Sequence, residues 1–172
     1  MRYLLAAFSL FLVSCSQTIY VVRHAEKETG IDMATMKPST DPPLSAEGDL
    51  RALKLKEILA GKDIKHIFST NTTRTISTAR PLKELYLGMP IQIYSSKADS
   101  MDAFIAKIKA MKKGNILIVG HSNTIDDIAN KLAAATVVPS DLKDNQYDNL
   151  YILERKGSRY KFTNEKFGAP PK

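Results

Sequence analysis

A chain of 172 residues, 44% apolar and 25% charged, is long enough for one domain with a complete core, and this balance excludes a disordered or fibrous polypeptide. The formal charge of +7 favours anionic partners such as phosphates or membrane surfaces. The lysines do not cluster with aromatic side chains, which argues against a nucleic-acid partner.

Met1-Arg2-Tyr3 is a short basic start, and Leu4 to Val13 is an apolar stretch too short to span a bilayer but suited to a signal sequence. It ends in Leu12-Val13-Ser14-Cys15, which resembles a bacterial lipobox with Cys15 as the lipidated amino terminus. An ordinary signal peptide cleaved near Ser14 or Ser16 is the alternative. The expected organisation is a signal peptide over 1–14, a lipidated terminus and tether over 15–17, a folded domain over 18–165 and a frayed tail over 166–172. The expected location is the bacterial cell envelope, extracytoplasmic and anchored to the membrane by lipid. Cys15 is the only cysteine, so no intrachain disulfide forms.

Residues 18–24 read as a buried strand, since a β-branched apolar run ends there in charge. Glu26 to Pro43 carries Gly30, Pro38, Pro42 and Pro43 and reads as a long irregular loop. Ser45 caps a helix of about fifteen residues, with Leu50, Leu53, Leu55, Ile58 and Leu59 at helical spacing and Gly61 as its stop. A strand over 64–69 precedes a helix that begins at Thr72 or Thr73 and runs to about Leu87, with Pro81 predicting a kink or interruption. A short strand over 91–94 follows. Asp99 or Ser100 then caps a helix through Met111. Asn115 to Gly120 is another strand, and Ser122 or Asn123 starts a helix to about Ala135. Tyr151 to Phe162 alternates like an antiparallel pair around Lys156-Gly157. Alternating strands and helices predict an α/β three-layer sandwich with a mainly parallel central sheet.

Three segments carry chemistry. Arg23-His24 ends the first strand, and a neutral imidazole is a competent nucleophile beside an arginine fork that matches phosphate oxygens. Thr70 to Ala79 runs from a strand end into a helix start, where backbone N–H groups favour anions, and it holds Arg74. Gly120-His121-Ser122-Asn123 repeats the strand-to-helix turn. A helix dipole behind His121 would disfavour its protonated form unless a phosphate lay beside it. Parallel strands deliver their carboxyl ends to one sheet edge, so His24 and His121 can meet although 97 positions separate them.

Together these segments resemble the histidine phosphatase, or phosphoglycerate mutase-like, superfamily. The family's Arg-His-Gly appears as Arg23-His24-Ala25. Its Ser-x-x-x-Arg-x-x-x-Thr-Ala frame appears as Thr70 to Ala79, its Gly-His as Gly120-His121, and its Leu-x-x-x-Gly as Leu44 to Gly48. The resemblance spans roughly residues 18–155 and implies a phosphoglycerate mutase-like fold. It implies hydrolysis of phosphomonoesters through a phosphohistidine on His24, with Arg23, Arg74 and His121 holding the phosphoryl oxygens. The substrate would be a phosphorylated small molecule or a phosphopeptide, and no metal or other cofactor is implied. The catalytic set is His24, His121 and a carboxylate that protonates the leaving group. Asp99 is the expected donor, with Asp102, Glu84 and Glu26 behind it, although Asp99 reads equally as a helix cap. A non-catalytic phosphate-binding envelope lipoprotein is the alternative function.

Overall fold

The computed structural model describes residues 17–32 and 35–170; the expected leader and Cys15 lie outside the described residues. In chain order the elements are β1 (Thr18–Arg23), β2 (Ile31–Asp32), β3 (Lys37–Pro38), α1 (Ala46–Leu59), β4 (Ile64–Ser69), α2 (Thr73–Lys83), β5 (Ile91–Ile93), α3 (Ala98–Ala110), β6 (Asn115–Gly120), α4 (Ile125–Ala133), β7 (Asn149–Lys156) and β8 (Arg159–Lys166).

Six strands form the central sheet in the order β5-β4-β6-β1-β7-β8, and four helices flank it. β5, β4, β6 and β1 run parallel, while β7 and β8 add an antiparallel edge. Successive side chains point to opposite faces and both faces are covered, which explains the unbroken apolar runs Ile19–Val22 in β1 and Ile116–Val119 in β6. Ile19, Val21, Ile116 and Ile118 pack on one face under Phe104, Ile105 and Ile108 of α3 and Ile125, Ile128 and Leu132 of α4. Tyr20, Val22, Leu117 and Val119 pack on the other face under Leu55 and Leu59 of α1 and Ala79 and Leu82 of α2. The chain leaves β1, passes over the position β6 will take, and returns between β4 and β1, which gives each face two helices.

The strand readings match within a residue or two except at β8, which runs four residues past the expected end at Phe162, and the helices differ in instructive ways. Ser45 caps α1 as expected, its Oγ accepting from the Gly48 N–H at 3.2 Å. The buried stripe of α1 is Gly48, Ala52, Leu55 and Leu59, however, and Leu50 is 68% exposed. Gly48 is required because a Cβ there would collide with the Glu26 carbonyl. α2 ends at Lys83, after which the Leu85 and Tyr86 N–H groups close i→i+3 turns onto Leu82 and Lys83. Pro81 in the last turn thus interrupts the stretch expected to reach Leu87. Lys97, and neither Asp99 nor Ser100, is the N-cap of α3.

α4 starts at Ile125, later than expected, because the Thr124 hydroxyl accepts from the His121 N–H and closes a turn over 121–124 first. The expected irregular loop contains a two-residue ribbon, with Ile31 opposite Pro38. The expected frayed tail is tied down through Ala169: Phe167 is buried, and Arg51 donates to the carbonyls of Phe167 at 2.6 Å and Ala169 at 2.9 Å.

Candidate active site

The site forms where β1, β4 and β6 end level with one another. Arg23 pairs with Gly120 and Ser69 with Val119, and the His24 N–H extends the ladder to the Gly120 carbonyl at 2.9 Å. The next residue on each strand is therefore His24, Thr70 or His121. Gly120 permits this convergence, since a Cβ there would meet the Tyr94 hydroxyl at 2.8 Å and Ile125 at 2.9 Å.

His24 is 4% exposed. Its Nδ1–H donates to the Ala25 carbonyl at 2.8 Å, which leaves Nε2 as the basic nitrogen. The His24 and His121 rings meet edge-on with centroids 5.5 Å apart. Burial first, and then the neighbouring Arg23, Arg74 and His121, hold His24 well below the usual imidazole value, at about 3, against the opposing effect of the Ala25 hydrogen bond. His121 is held at about 4, first by burial and then by Arg74 and Arg23. These causes replace the helix dipole expected for His121, because α4 begins four residues further on.

The Thr70 hydroxyl donates to Thr75 at 3.0 Å, so its oxygen accepts from the His121 Nε2–H at 2.9 Å. In this neutral tautomer Nδ1 carries no proton. Protonation of His121 beside an anion would supply Nδ1–H as a donor.

Arg23 is anchored from behind. Its Nη1 donates to the carbonyls of Lys143 at 2.9 Å and Asp144 at 3.0 Å, and its guanidinium stacks 4.0 Å over the Tyr147 ring. Arg74 pairs with Asp41 at 3.2 Å. Asp41 also accepts from the Thr73 N–H and hydroxyl, so it caps α2 from a loop 32 positions away. The Nε atoms of both arginines are buried and find no hydrogen-bond partner among the described residues.

Arg23, His24, Arg74 and His121 all line one cleft of about 370 Å³, with Lys27, Ser96, Asn123 and Asp144 on its walls. A larger cavity of about 460 Å³, lined by Leu50, Arg51 and Tyr147 among others, holds none of these four. The expected proton donors lie elsewhere. Asp99 is exposed in the first turn of α3 and accepts from the Ser100 hydroxyl. Asp102 pairs with Lys131, and Glu26 is held by Arg51 in a bidentate contact at 2.5–3.0 Å. Asp144 is the carboxylate on the cleft wall, and it is exposed. Sequence reading missed both Asp41 and Asp144, which lie in loops without regular spacing. Among the described residues no group of three or more His, Cys, Asp or Glu could hold a metal ion.

The model of the histidine phosphatase superfamily (branch 1) matches residues 19–96, the stretch that carries Arg23, His24 and Arg74. The protein histidine phosphatase SixA complexed with tungstate superposes with a TM-score of 0.67 at 11% identity, covering 87% of this chain and 97% of that one. The alpha-ribazole phosphatase from Shigella flexneri gives 0.66 at 14% identity, covering 90% and 98%. A mycobacterial glucosyl-3-phosphoglycerate phosphatase gives 0.62 at 14% identity, covering 90% and 99%. At these identities the likeness establishes the fold. No curated protein matches the chain.

Proposed function

We propose that this protein hydrolyses phosphomonoesters through a phosphohistidine on His24. The observation that carries the reading is the fixed His24 tautomer inside a cleft that also holds Arg23, Arg74 and His121. Nε2 attacks phosphorus, a P–N bond forms, and the bond to the leaving oxygen breaks. The arginine forks hold the equatorial oxygens, and His121 takes up a proton to add a third donor. Water then attacks phosphorus, the P–N bond breaks, and His24 and inorganic phosphate are released.

Among the described residues the carboxylate lining the cleft is the exposed Asp144, so substrates whose leaving groups bear negative charge readily are favoured. The same observation supports a second reading, a non-catalytic phosphate-binding envelope lipoprotein. Hydrolysis of p-nitrophenyl phosphate with and without His24→Ala separates the two. Loss of turnover in the variant supports the phosphatase, and equal rates remove it.

We also propose that Cys15 is lipidated and anchors the protein outside the cytoplasm of a bacterium. The apolar stretch ending in Leu12-Val13-Ser14-Cys15 supports this, and among the described residues no helix is long and apolar enough to cross a membrane. Cys15→Ala should release the protein from the membrane fraction; retention there would remove the anchor.

A further inference from the structure

The described chain begins at Gln17, at the edge of the sheet opposite the cleft. Gln17 is locked there: its Nε2 donates to the Gly114 carbonyl at 3.1 Å, its Oε1 accepts from Arg155 Nη1 at 3.0 Å, and its carbonyl accepts from the Arg155 N–H at 2.8 Å. The Thr18 N–H donates to the Asn115 side chain, whose amide donates to the Lys62 carbonyl. The starts of β1, β4 and β6 and the β7–β8 turn thus form one continuous rim around Gln17.

That rim is strongly basic. Lys65 is paired with Asp63 at 2.7 Å and Lys156 with Glu154 at 3.4 Å, so the two carboxylates beside the rim are already matched. Lys62, Lys112, Lys113 and Arg159 remain, all exposed and, among the described residues, none in an ion pair with a carboxylate. No fold requirement explains four such cations at one end, since the rim is held by Gln17, Asn115 and Arg155. Two residues of extended chain span at most about 7 Å, so a lipid on Cys15 would hold this rim within reach of the headgroups.

We propose that this basic rim is a membrane-docking surface: Lys62, Lys112, Lys113 and Arg159 rest on anionic lipid headgroups around the Cys15 anchor and point the cleft away from the bilayer. The proposal rests on the lipid-anchor reading of Cys15. β1 has six residues, so the cleft stands roughly 20 Å beyond the rim. Its substrate therefore arrives from the aqueous phase and is not a lipid of the same membrane.

The test uses the full chain, lipidated and reconstituted into vesicles of phosphatidylcholine alone or of phosphatidylcholine with phosphatidylglycerol. With Cys15 lipidated, an introduced Ser158→Cys at the rim or Asn123→Cys at the cleft is the single free thiol for a fluorophore. Quenching by headgroup-labelled lipid then reports proximity. The Ser158 probe should be quenched more in anionic vesicles, and the Asn123 probe should stay unquenched in both. Charge reversal at Lys62, Lys112 and Lys113 should abolish the lipid dependence, each reversal removing one attraction and adding one repulsion and so shifting the orientation equilibrium about thirtyfold. Equal Ser158 quenching in the two lipids, or stronger quenching at Asn123, overturns the docking surface while leaving the anchor intact. An unmodified Cys15 by mass spectrometry overturns the anchor and the docking surface together.

Discussion

Replacing His24 with Asn should make the protein less sensitive to acid. Burial lowers His24 from 6.5 to about 3 in the folded protein, so the folded state keeps the ring neutral while the unfolded chain protonates it. A depressed folded value means that the stability is complete above the unfolded value and is lost as pH falls toward the folded one. At about pH 4.5 the unfolded ring is two units into its titration while the folded ring is still neutral, a difference of about 2–3 kcal/mol relative to about pH 7.5. Carboxylates and His121 also contribute to acid sensitivity, but they are present in both proteins and cancel. Urea denaturation of the wild type and of His24→Asn at the two pH values measures the effect. The wild type should lose about 2–3 kcal/mol more than the variant between them. Identical losses would refute the claim that His24 is held neutral by burial.

Four further outcomes follow from the same structure. Arg74→Lys removes a planar fork and should lower kcat/KM for p-nitrophenyl phosphate by about a hundredfold while leaving the thermal midpoint nearly unchanged. Asp41→Ala should cost about 1 kcal/mol through loss of the α2 cap, yet tighten binding of inorganic phosphate by freeing Arg74, as calorimetry would register. Arg51→Ala leaves the Glu26 carboxylate and two carbonyls unpaired and should cost about 3–5 kcal/mol in denaturant unfolding. For phosphate esters of graded leaving-group basicity, kcat/KM should fall steeply with rising basicity, and Asp144→Asn should steepen it little; a flat series would reveal a strong acid that the cleft walls do not show.

What was legible in the sequence follows from where constraint is local. The apolar runs of β1 and β6 read correctly because both faces of each strand are covered, and the Arg23-His24 and Gly120-His121 pairs sit where those runs stop. Arg74 was legible from its place in the first turn of α2. The proton donor was not. The family resemblance implied a carboxylate near the third strand and Asp99 stood nearest, but β5 ends at Ile93 and Tyr94 turns into the core, stacking on Phe104 at 4.1 Å. That turn carries Ser96, and not Asp99, to the cleft. Asp41 and Asp144 reach the site through loops whose course depends on tertiary contacts, above all the grip of Arg23 on the carbonyls of 143 and 144. The α1 stripe was misjudged at Leu50 for a related reason. Leucine at helical spacing suggests burial, but Gly48 and Ala52 set the close face against Glu26 and the sheet, which turns Leu50 outward.

The central claim is the covalent intermediate. Rapid mixing with a phosphate-labelled aryl ester, followed by quenching in alkali and peptide mapping by mass spectrometry, reads it directly. The account predicts an alkali-stable, acid-labile phosphoryl group on His24 in the wild type and none in His24→Asn. Turnover by the wild type with no phosphoryl group on His24, or with one on another residue, would contradict it.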